Sequence, residues 1–552
     1  MSQSPITKGD RAAGLLTALH EAQARDGFLR RETLEKLAAQ LKVPIADIYS
    51  AATFYHYFSF DEQRSKVKGR CGGPVCSLPG MAKSDPQEMR AIACPGLCDQ
   101  PVAEYSLGRF FADKEHHGVF RLPESVDTEQ VLFRGINSNK PQSLKHYREN
   151  GGFDVLLRLL NEADAGNALD ELKASGLVGR GGAGFPLAQK WQAARSAGAS
   201  PKYVICNADE GEPGTFKDRP LIHLQPHLLL EAMAICGYLV GAGTGIIYLR
   251  YEYPEALEVL RSAIEEAEGA GLLGADAGGS GFAFEFHIAR GAGSYVCGEE
   301  TALLNSLEGH RPWPRERPPF PTTEGLWGKP TVINNVETLC SVPAILARGA
   351  GWYRSLGKGE NAGTKIYSVS GKVKRPGNYE LPLGITAREL IFSYAGGPAP
   401  DHTVKGFTLG GISGGMLSAA SLELSLDYHA PQKQGVFLGS GGVVVLDDSC
   451  CVVDFARACM LFYESESCGK CYPCRIGTVR LRELLDGLTG RALLPRNVLE
   501  KMEEIGSVMM SASACGLGQS APLVVKGAFK FFSDEVKQHL EERRCPAGIC
   551  FL

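Results

Sequence analysis

The run Ser467-Cys468-Gly469-Lys470-Cys471-Tyr472-Pro473-Cys474-Arg475 constrains this chain more than any other stretch of it. Three thiolates spaced C-x2-C-x2-C can take three corners of a cuboidal cluster from one tight loop, and Cys515, further along, can close the fourth. A structural zinc site would more often show two separated C-x2-C pairs or a Cys/His mixture, and no His lies near this run. The spacing therefore favours a [4Fe-4S] centre, with zinc and four unrelated core cysteines as the weaker alternatives. The surrounding stretch, Asp454 to Leu540, reads as helical, which predicts a helical, cluster-bearing domain over residues 447–552.

The chain holds 17 cysteines in 552 residues. Disulfides rarely persist in the cytoplasm, where clustered cysteines serve metals or redox chemistry. Met1 to Arg11 carries neither an apolar h-region nor a small-residue cleavage site, so a cytoplasmic protein is expected. With 58 basic against 62 acidic side chains and no Lys/Arg block of five or more, nucleic acid is not an expected partner. The uncharged run Ala232–Leu249 reaches the length of a membrane span, but Gly237, Gly241, Gly243 and Gly245 interrupt it and Glu231 precedes it. A buried helix, a glycine turn and a strand over Ile246–Tyr253 fit better, and no direct membrane insertion is expected.

Changes of pattern divide the chain into five parts. Leu15, Leu16, Leu19 and Ala22, then Leu34, Leu37, Ala38 and Leu41, recur at helical spacing and predict a small bundle over residues 1–60. Residues 61–115 hold two short cysteine pairs among Gly/Pro turns, with room for only a reduced α/β unit. Residues 116–345 form the largest domain, α/β in character, with strand candidates Tyr203–Asn207, Ile246–Arg250 and Phe282–Ala289. Residues 346–446 read as a small β-rich, β-grasp-like domain with short strands at Ile366–Val373, Val436–Gly439 and Val443–Leu446. The fold class is multidomain, α/β and α.

The segment Gly179-Arg180-Gly181-Gly182-Ala183-Gly184-Phe185 formally matches G-x-G-x-x-G, but a helical stretch, Ala168–Gly176, precedes it where the dinucleotide fingerprint has a strand. Bare backbone there could approach phosphates or a planar ring, with Lys190 supplying charge; a flexible loop is the plain alternative. Strand Tyr203–Cys206 runs into Asn207-Ala208-Asp209-Glu210-Gly211-Glu212-Pro213-Gly214, which sets carboxylates and an amide at a strand's C-terminal end, where α/β folds bind ligands. Carboxylates accept hydrogen bonds and repel anions, so they suit ribose or ribityl hydroxyls better than phosphates. A second such element, Gly291-Ala292-Gly293-Ser294-Tyr295-Val296-Cys297-Gly298-Glu299-Glu300, follows the strand Phe282–Ala289. Each acidic cluster alone could be a solvated turn.

Together with Asn334-Asn335 and Arg317-Pro318-Pro319-Phe320-Pro321, these elements resemble, in the same order, the flavoprotein subunit of respiratory complex I and its relatives in NAD-reducing hydrogenases and NAD-dependent formate dehydrogenases. The resemblance runs from about residue 147 to 540 and makes the 116–345 domain an FMN- and NAD-binding one. It implies an FMN pocket from Gly179, Arg180, Gly181, Gly182, Lys190, Asn207, Asp209, Glu212, Tyr295, Gly298, Asn334 and Asn335. It implies NAD(H) contacts from Phe185, Glu212, Glu300 and Phe320, and a [4Fe-4S] cluster on Cys468, Cys471, Cys474 and Cys515. Two positions depart from the complex I pattern: Ala193 stands where a second aromatic often stacks on adenine, and Arg317 replaces a lysine.

Residues 11–58, ending Ala52-Thr53-Phe54-Tyr55, resemble the helical part of the small [2Fe-2S] subunit of complex I. Cys71 and Cys76, then Cys94 and Cys98, resemble the cluster pairs of its thioredoxin-like domain, although few residues separate the pairs; an empty site is the alternative. Cys545 and Cys550 resemble the start of an added ferredoxin-like region, but two cysteines alone cannot hold a cluster and no function is assigned to them. Cys206, Cys236, Cys297, Cys340 and Cys459 lie in apolar company and are expected in the core.

The resemblance implies hydride transfer between NAD(H) and FMN and single-electron steps through the clusters, with no side chain acting as acid or base. A fused N-terminal part resembles formate dehydrogenases and NAD-reducing hydrogenases alike, whereas the segment Leu409-Gly410-Gly411-Ile412-Ser413-Gly414-Gly415-Met416-Leu417 and Leu426-Asp427-Tyr428 look most like the β subunit of a molybdenum or tungsten formate dehydrogenase. That implies a large formate-oxidising α subunit with further Fe-S clusters as partner. The diaphorase subunit of an NAD-reducing hydrogenase, or of a complex I-type NADH dehydrogenase, is the alternative. A non-catalytic scaffold with a dead flavin fold is the reading from another class, and the complete acidic loops and cysteine quartet argue against it.

Overall fold

The computed structural model describes residues 14–62, 67–81, 89–106, 109–111, 120, 122, 128–136 and 138–551. The reading of Met1 to Arg11 and parts of the 61–115 and 116–345 assignments lie outside the described residues. The chain divides into two compact units. One comprises Met1–Val67, Thr128–Glu210 and Lys217–Thr364, the other Lys68–Asp127, Gly211–Phe216 and Lys365–Leu552.

The first unit is built on a four-stranded parallel sheet in the order Glu285–Arg290, Thr244–Leu249, Tyr203–Ala208, Thr331–Asn335. Val204, Ile205 and Cys206, and Ile246 through Leu249, are buried as near-continuous apolar runs, as befits a parallel sheet covered on both faces. The helix Pro226–Val240 is buried along almost its whole length and ends at Gly241, whose φ of 79° is left-handed. The strand Thr244–Leu249 follows, so the run of membrane-span length is a helix, a turn and a strand. No described helix is long and apolar enough to cross a membrane.

Pairing in this sheet is level: Asn207 faces Asn335, Ala208 faces Leu249, and Leu249 faces Arg290. All four strands therefore end at one edge. Strand order runs backwards along the chain up to Tyr203–Ala208 and then jumps to Thr331–Asn335, so the topological switch point lies between those two strands.

The helices Leu15–Asp26, Arg31–Leu41 and Ile45–Ala52 match the N-terminal periodicity, and Leu15, Leu19, Leu34 and Ile48 are fully buried. They do not close a core of their own. The same hydrophobic cluster takes in Ile205, Ile246, Tyr248, Ala292, Leu303 and Ile333 of the α/β part. Tyr55 and Tyr248 both place their hydroxyls on Ser306 Oγ, at 2.8 and 2.7 Å. His20 Nε2 lies 3.0 Å from the Gly291 carbonyl, and burial, then the Arg290 charge, pulls its pKa down to about 4, so the ring is neutral at pH 7.

The second unit contains a small sheet ordered Arg90–Ile92, Gly69–Cys71, Glu104–Ser106, Arg109–Phe111, mixed parallel and antiparallel. It also contains a five-stranded sheet ordered Gly377–Pro382, Thr364–Gly371, Gly442–Asp447, Val404–Leu409, Met416–Ser418. The expected strand at Val436–Gly439 is instead irregular. Gly435, Gly439 and Gly441 sit at φ of 81°, 58° and 91°, left-handed turns that break an extended run, and a Cβ on Gly439 would stand 2.7 Å from Gly410 Cα. The strand expected from Phe282 begins at Glu285. The C-terminal part is helical as expected, from Val452–Glu466 through Ser533–Glu541.

Because the N-terminal helices and the parallel sheet share one core, Leu19→Ala should lower the melting transition of both together, by about 2–5 kcal/mol in stability. The check is a thermal scan following far-UV circular dichroism and flavin release in parallel; a flavin transition that stays put would mean the bundle is independent.

Candidate functional site

At the switch point the strand ends bring together Asn207, Asp209, Gly298, Asn334 and Asn335, with Gly181 against Asn335. At the end of Tyr203–Ala208, Asn207 Oδ1 accepts the Asp209 N–H at 3.1 Å, and Asn207 Nδ2 donates to the Gly298 carbonyl at 2.7 Å. The acidic loop is thereby tied to the Tyr295–Gly298 turn. A Cβ on Gly298 would stand 3.0 Å from the Asp209 carbonyl, so the approach suits glycine. At the end of the neighbouring strand, Asn334 Oδ1 accepts the Trp191 indole N–H at 2.8 Å. Asn335 Oδ1 accepts from Glu337 N at 3.0 Å, capping the helix Val336–Arg348.

The glycine loop closes through Gly179 N–H to the Phe185 carbonyl at 2.8 Å, and Gly182 and Gly184 take φ of 132° and 63°. A Cβ on Gly181 would lie 3.0 Å from Asn335 Cβ, which puts bare backbone directly against the switch point. Arg180 is 1% exposed, its guanidinium donating to Tyr353 Oη at 3.1 Å and to the Ala362 carbonyl at 3.0 Å. Its side chain anchors the loop from within. Lys190 Nζ donates to the Ile333 carbonyl at 3.1 Å and to Glu300 at 3.2 Å, and Glu300 also pairs with Arg317 at 3.1 Å. Phe185 and Phe320 are 49% and 55% exposed, unusual for phenyl rings, and are free to cover a planar ligand.

Sequence reasoning missed the group beneath this edge. Lys217 Nζ lies 2.6 Å from Asp218, 3.0 Å from Glu337 and 3.3 Å from Asn335 Oδ1, with the lysine and both carboxylates closed to solvent. Burial alone would lower the Lys217 pKa, but the Asp218, Glu337 and Glu210 carboxylates outweigh it and raise it. Burial, then Asp218, pushes the Glu210 carboxyl up to about 7, against the N–H groups of Lys217 and Asp218 at 2.9 and 3.1 Å. Nothing local in the sequence distinguishes Lys217 from an exposed lysine.

Glu212 belongs to the second unit. Its Oε1 accepts both the Ile412 and the Ser413 N–H at 2.9 Å, and a Cβ on Gly411 would stand 2.6 Å from Glu212 Cγ. The Leu409–Leu417 segment is thus a glycine turn that grips one carboxylate.

Two sets of cysteines are drawn together in the second unit. Cys471 stands at the start of the helix Tyr472–Leu488, Cys474 is in its first turn, and Cys515 precedes Gly516–Ser520. The Cys474 thiol is pushed up to about 12 by burial, Ser467 opposing, with Cys471, Cys515 and Cys468 adding their charge, so all four sulfurs lie within electrostatic reach. A Cβ on Gly518 would lie 2.8 Å from Cys474 Cβ, a close approach that brings the Cys515 turn in. Four thiols within reach of one another fit a [4Fe-4S] cluster.

In the small sheet, Cys94 and Cys98 sulfurs are 3.4 Å apart, contacts with Cys76 and then Cys94 raise the Cys71 pKa, and Cys94 and burial raise that of Cys98. Gly73 N–H donates to Cys71 Sγ at 3.4 Å and Gly214 N–H to Cys98 Sγ at 3.3 Å. The short spacing still assembles four sulfurs and donors to them, which fits a [2Fe-2S] cluster. Cys206, Cys236, Cys297, Cys340 and Cys459 are core residues, none more than 1% exposed.

Four family models match the chain: the Nuo51 FMN-binding domain over residues 172–344, the SLBB domain over 366–417, the NADH-ubiquinone oxidoreductase-F iron-sulfur binding region over 454–539, and the thioredoxin-like [2Fe-2S] ferredoxin over 3–96. Among curated relatives, the second F-type subunit of the NADH-quinone oxidoreductase of Rhizobium meliloti is 45% identical across 76% of this chain and 99% of its own. The NADP-reducing hydrogenase subunit HndC of Solidesulfovibrio fructosivorans is 42% identical across 76% of this chain and 85% of its own. Among solved structures, a chain of an NAD+-reducing [NiFe]-hydrogenase in the H2-reduced state superposes with a TM-score of 0.80 at 31% identity, over 96% of this chain and 93% of that one. The chain belongs to the family of NADH-quinone oxidoreductase F-type subunits, and joins in one polypeptide a thioredoxin-like [2Fe-2S] part, an FMN domain, an SLBB domain and a [4Fe-4S] region.

Proposed function

We propose that this chain is the NAD(H)-linked electron-transfer subunit of a cytoplasmic multisubunit dehydrogenase. The observation that carries the reading is the coincidence, at one switch point, of the bare Gly179–Gly182 backbone with Asn207, Asp209, Asn334 and Asn335. FMN, when bound, supplies the exchange between two-electron hydride chemistry and the single electrons that iron-sulfur clusters accept. In this reading Gly179, Arg180, Gly181 and Gly182 lend their peptide groups to FMN. Lys190, Asn207, Asp209, Tyr295, Gly298, Asn334 and Asn335 orient it through side-chain and backbone hydrogen bonds. Phe185 and Phe320 flank the nicotinamide nucleotide, and Glu300 and Glu212 are acceptors for its hydroxyls. Glu212 is held in place beforehand by two backbone N–H groups, so little ordering remains to be done on binding.

For the partner, a formate-oxidising molybdenum or tungsten subunit is the first reading. It rests on the likeness of the Leu409–Leu417 and Leu426–Tyr428 segments. A hydrogen-oxidising partner is the second, favoured by the likeness to a hydrogenase chain across nearly the whole length, N-terminal part included. The same Leu409–Leu417 segment holds the Glu212 carboxylate through the Ile412 and Ser413 N–H groups.

In the assembled complex, Cys471→Ala should leave NADH reduction of a small artificial acceptor within about twofold of the original, while NAD+ reduction driven by formate, or by hydrogen under the second reading, falls at least about a hundredfold. Metal analysis of the same complex distinguishes molybdenum or tungsten from nickel. Turnover at the original rate in a variant lacking this cluster would remove it from the electron path.

Cys94→Ser should abolish a [2Fe-2S] signal in low-temperature EPR of the dithionite-reduced chain and lower iron by about two per chain. Unchanged iron and spectra would make the N-terminal site structural only.

A further inference from the structure

The two C-terminal cysteines that sequence reading leaves without a role are joined in the fold by two residues from earlier in the chain. Cys451 Sγ lies 3.3 Å from His539 Nε2 and 3.7 Å from Cys550 Sγ. With Cys545, the four donor atoms all lie within 4.8 Å of one another. Cys451, His539 and Cys550 are buried, at 2%, 0% and 6% exposure, and Cys545 is half-buried. We propose that Cys451, His539, Cys545 and Cys550 form a mononuclear structural zinc site that shares no ligand with either cluster.

Size selects a single ion. Zinc bonds of about 2.3 Å to sulfur and about 2.0 Å to nitrogen, arranged as a tetrahedron, place neighbouring sulfurs ~3.8 Å apart and a nitrogen ~3.6 Å from a sulfur. The observed separations of 3.7 and 3.3 Å are close to those edges. An iron-sulfur cluster would hold its protein ligands further apart, across bridging sulfides, and draws mainly on thiolates. A Cys451–Cys550 disulfide would need a sulfur separation of about 2 Å and would leave His539 and Cys545 facing it with no task.

The surroundings are those of a ligand set. His539 Nδ1 lies 2.8 Å from the Glu535 carbonyl; donating its proton there fixes the tautomer that leaves Nε2 as an acceptor toward the ion. Asp454 N–H donates to Cys451 Sγ and Ile549 N–H to Cys545 Sγ, both at 3.4 Å, which eases thiolate charge. Gly548, at φ 68°, turns the chain between Cys545 and Cys550. Three cysteines and one histidine close a tetrahedron with no position left for water, so the ion has no catalytic role.

What it does is mechanical. Cys451 stands at the start of the helix Val452–Glu466, the same helix whose far end leads through Ser467 into Cys468. The ion ties that start to the helix Ser533–Glu541 and to the C-terminal loop. It thereby holds the rod from which the first cluster cysteine is presented.

The full chain, purified with its flavin and clusters and washed with EDTA, should carry about one zinc by mass spectrometry, with about three sulfur and one nitrogen scatterers in the zinc X-ray absorption edge spectrum. The double variant C545S/C550S should lose that zinc and keep its iron and FMN. Zinc well below one per chain, zinc retained by the double variant, or loss of iron in its place would each overturn the proposal. Should the double variant not fold, the absorption spectrum of the unaltered chain decides alone, and a shell without sulfur contradicts the site.

Discussion

One buried cation holds the switch point in place. Moving an ammonium out of water costs several kcal/mol, and the Lys217 side chain is 1% exposed. That penalty is offset only because Asp218 and Glu337 lie 2.6 and 3.0 Å away and Asn335 adds its amide oxygen. The consequence is positional. Asn335, shared between Lys217, Asp218 and the cap of the following helix, cannot turn away from the strand end, and the Gly179–Gly182 loop rests on its Cβ. Removing any member leaves an unpaired buried charge or amide, so the group acts as a unit, and the strand end it fixes is where the fold places a ligand.

The cluster sites solve the opposite problem, gathering negative charge rather than positive. Cys471 and Cys474 sit at the N-terminal end of the helix Tyr472–Leu488, where the helix dipole favours thiolates. In the small sheet the same service comes from single backbone N–H groups, those of Gly73 and Gly214. Glycine allows the close approaches at both kinds of site, Gly181 against Asn335 and Gly518 against Cys474.

How much is legible in the sequence depends on distance along the chain. The Cys468–Cys474 loop and the acidic turn after Tyr203–Ala208 are local patterns, and both stand where the spacing puts them. Ala232–Leu249 reads as helix, turn and strand because four glycines break the apolar run, and the fold agrees. Val436–Gly439 is no strand because its apolar residues are bounded by glycines that need positive φ, a conformation that apolar content does not reveal. Arg180 resembles a ligand contact from its place in a glycine loop, and only the fold shows its guanidinium bonded to Tyr353 and Ala362. Lys217 with Glu337, and Cys451 with His539, are long-range pairs; no periodicity or motif joins such residues. The N-terminal helices are plain from their spacing, but their sharing of a core with Ile205 and Ile246 is not, since helical spacing identifies a buried face without saying what buries it.

The central claim is that FMN binds where the glycine loop meets Asn335 at the switch point, and FMN content of glycine variants tests it most directly. Gly181→Val adds a side chain whose Cβ alone would stand 3.0 Å from Asn335 Cβ, whereas Gly198→Val adds one into open space. The account predicts about one FMN per chain in the unaltered protein and in Gly198→Val, and at least about a tenfold loss in Gly181→Val with the fold intact by circular dichroism. A Gly181→Val protein that keeps its full flavin at unchanged affinity would contradict it.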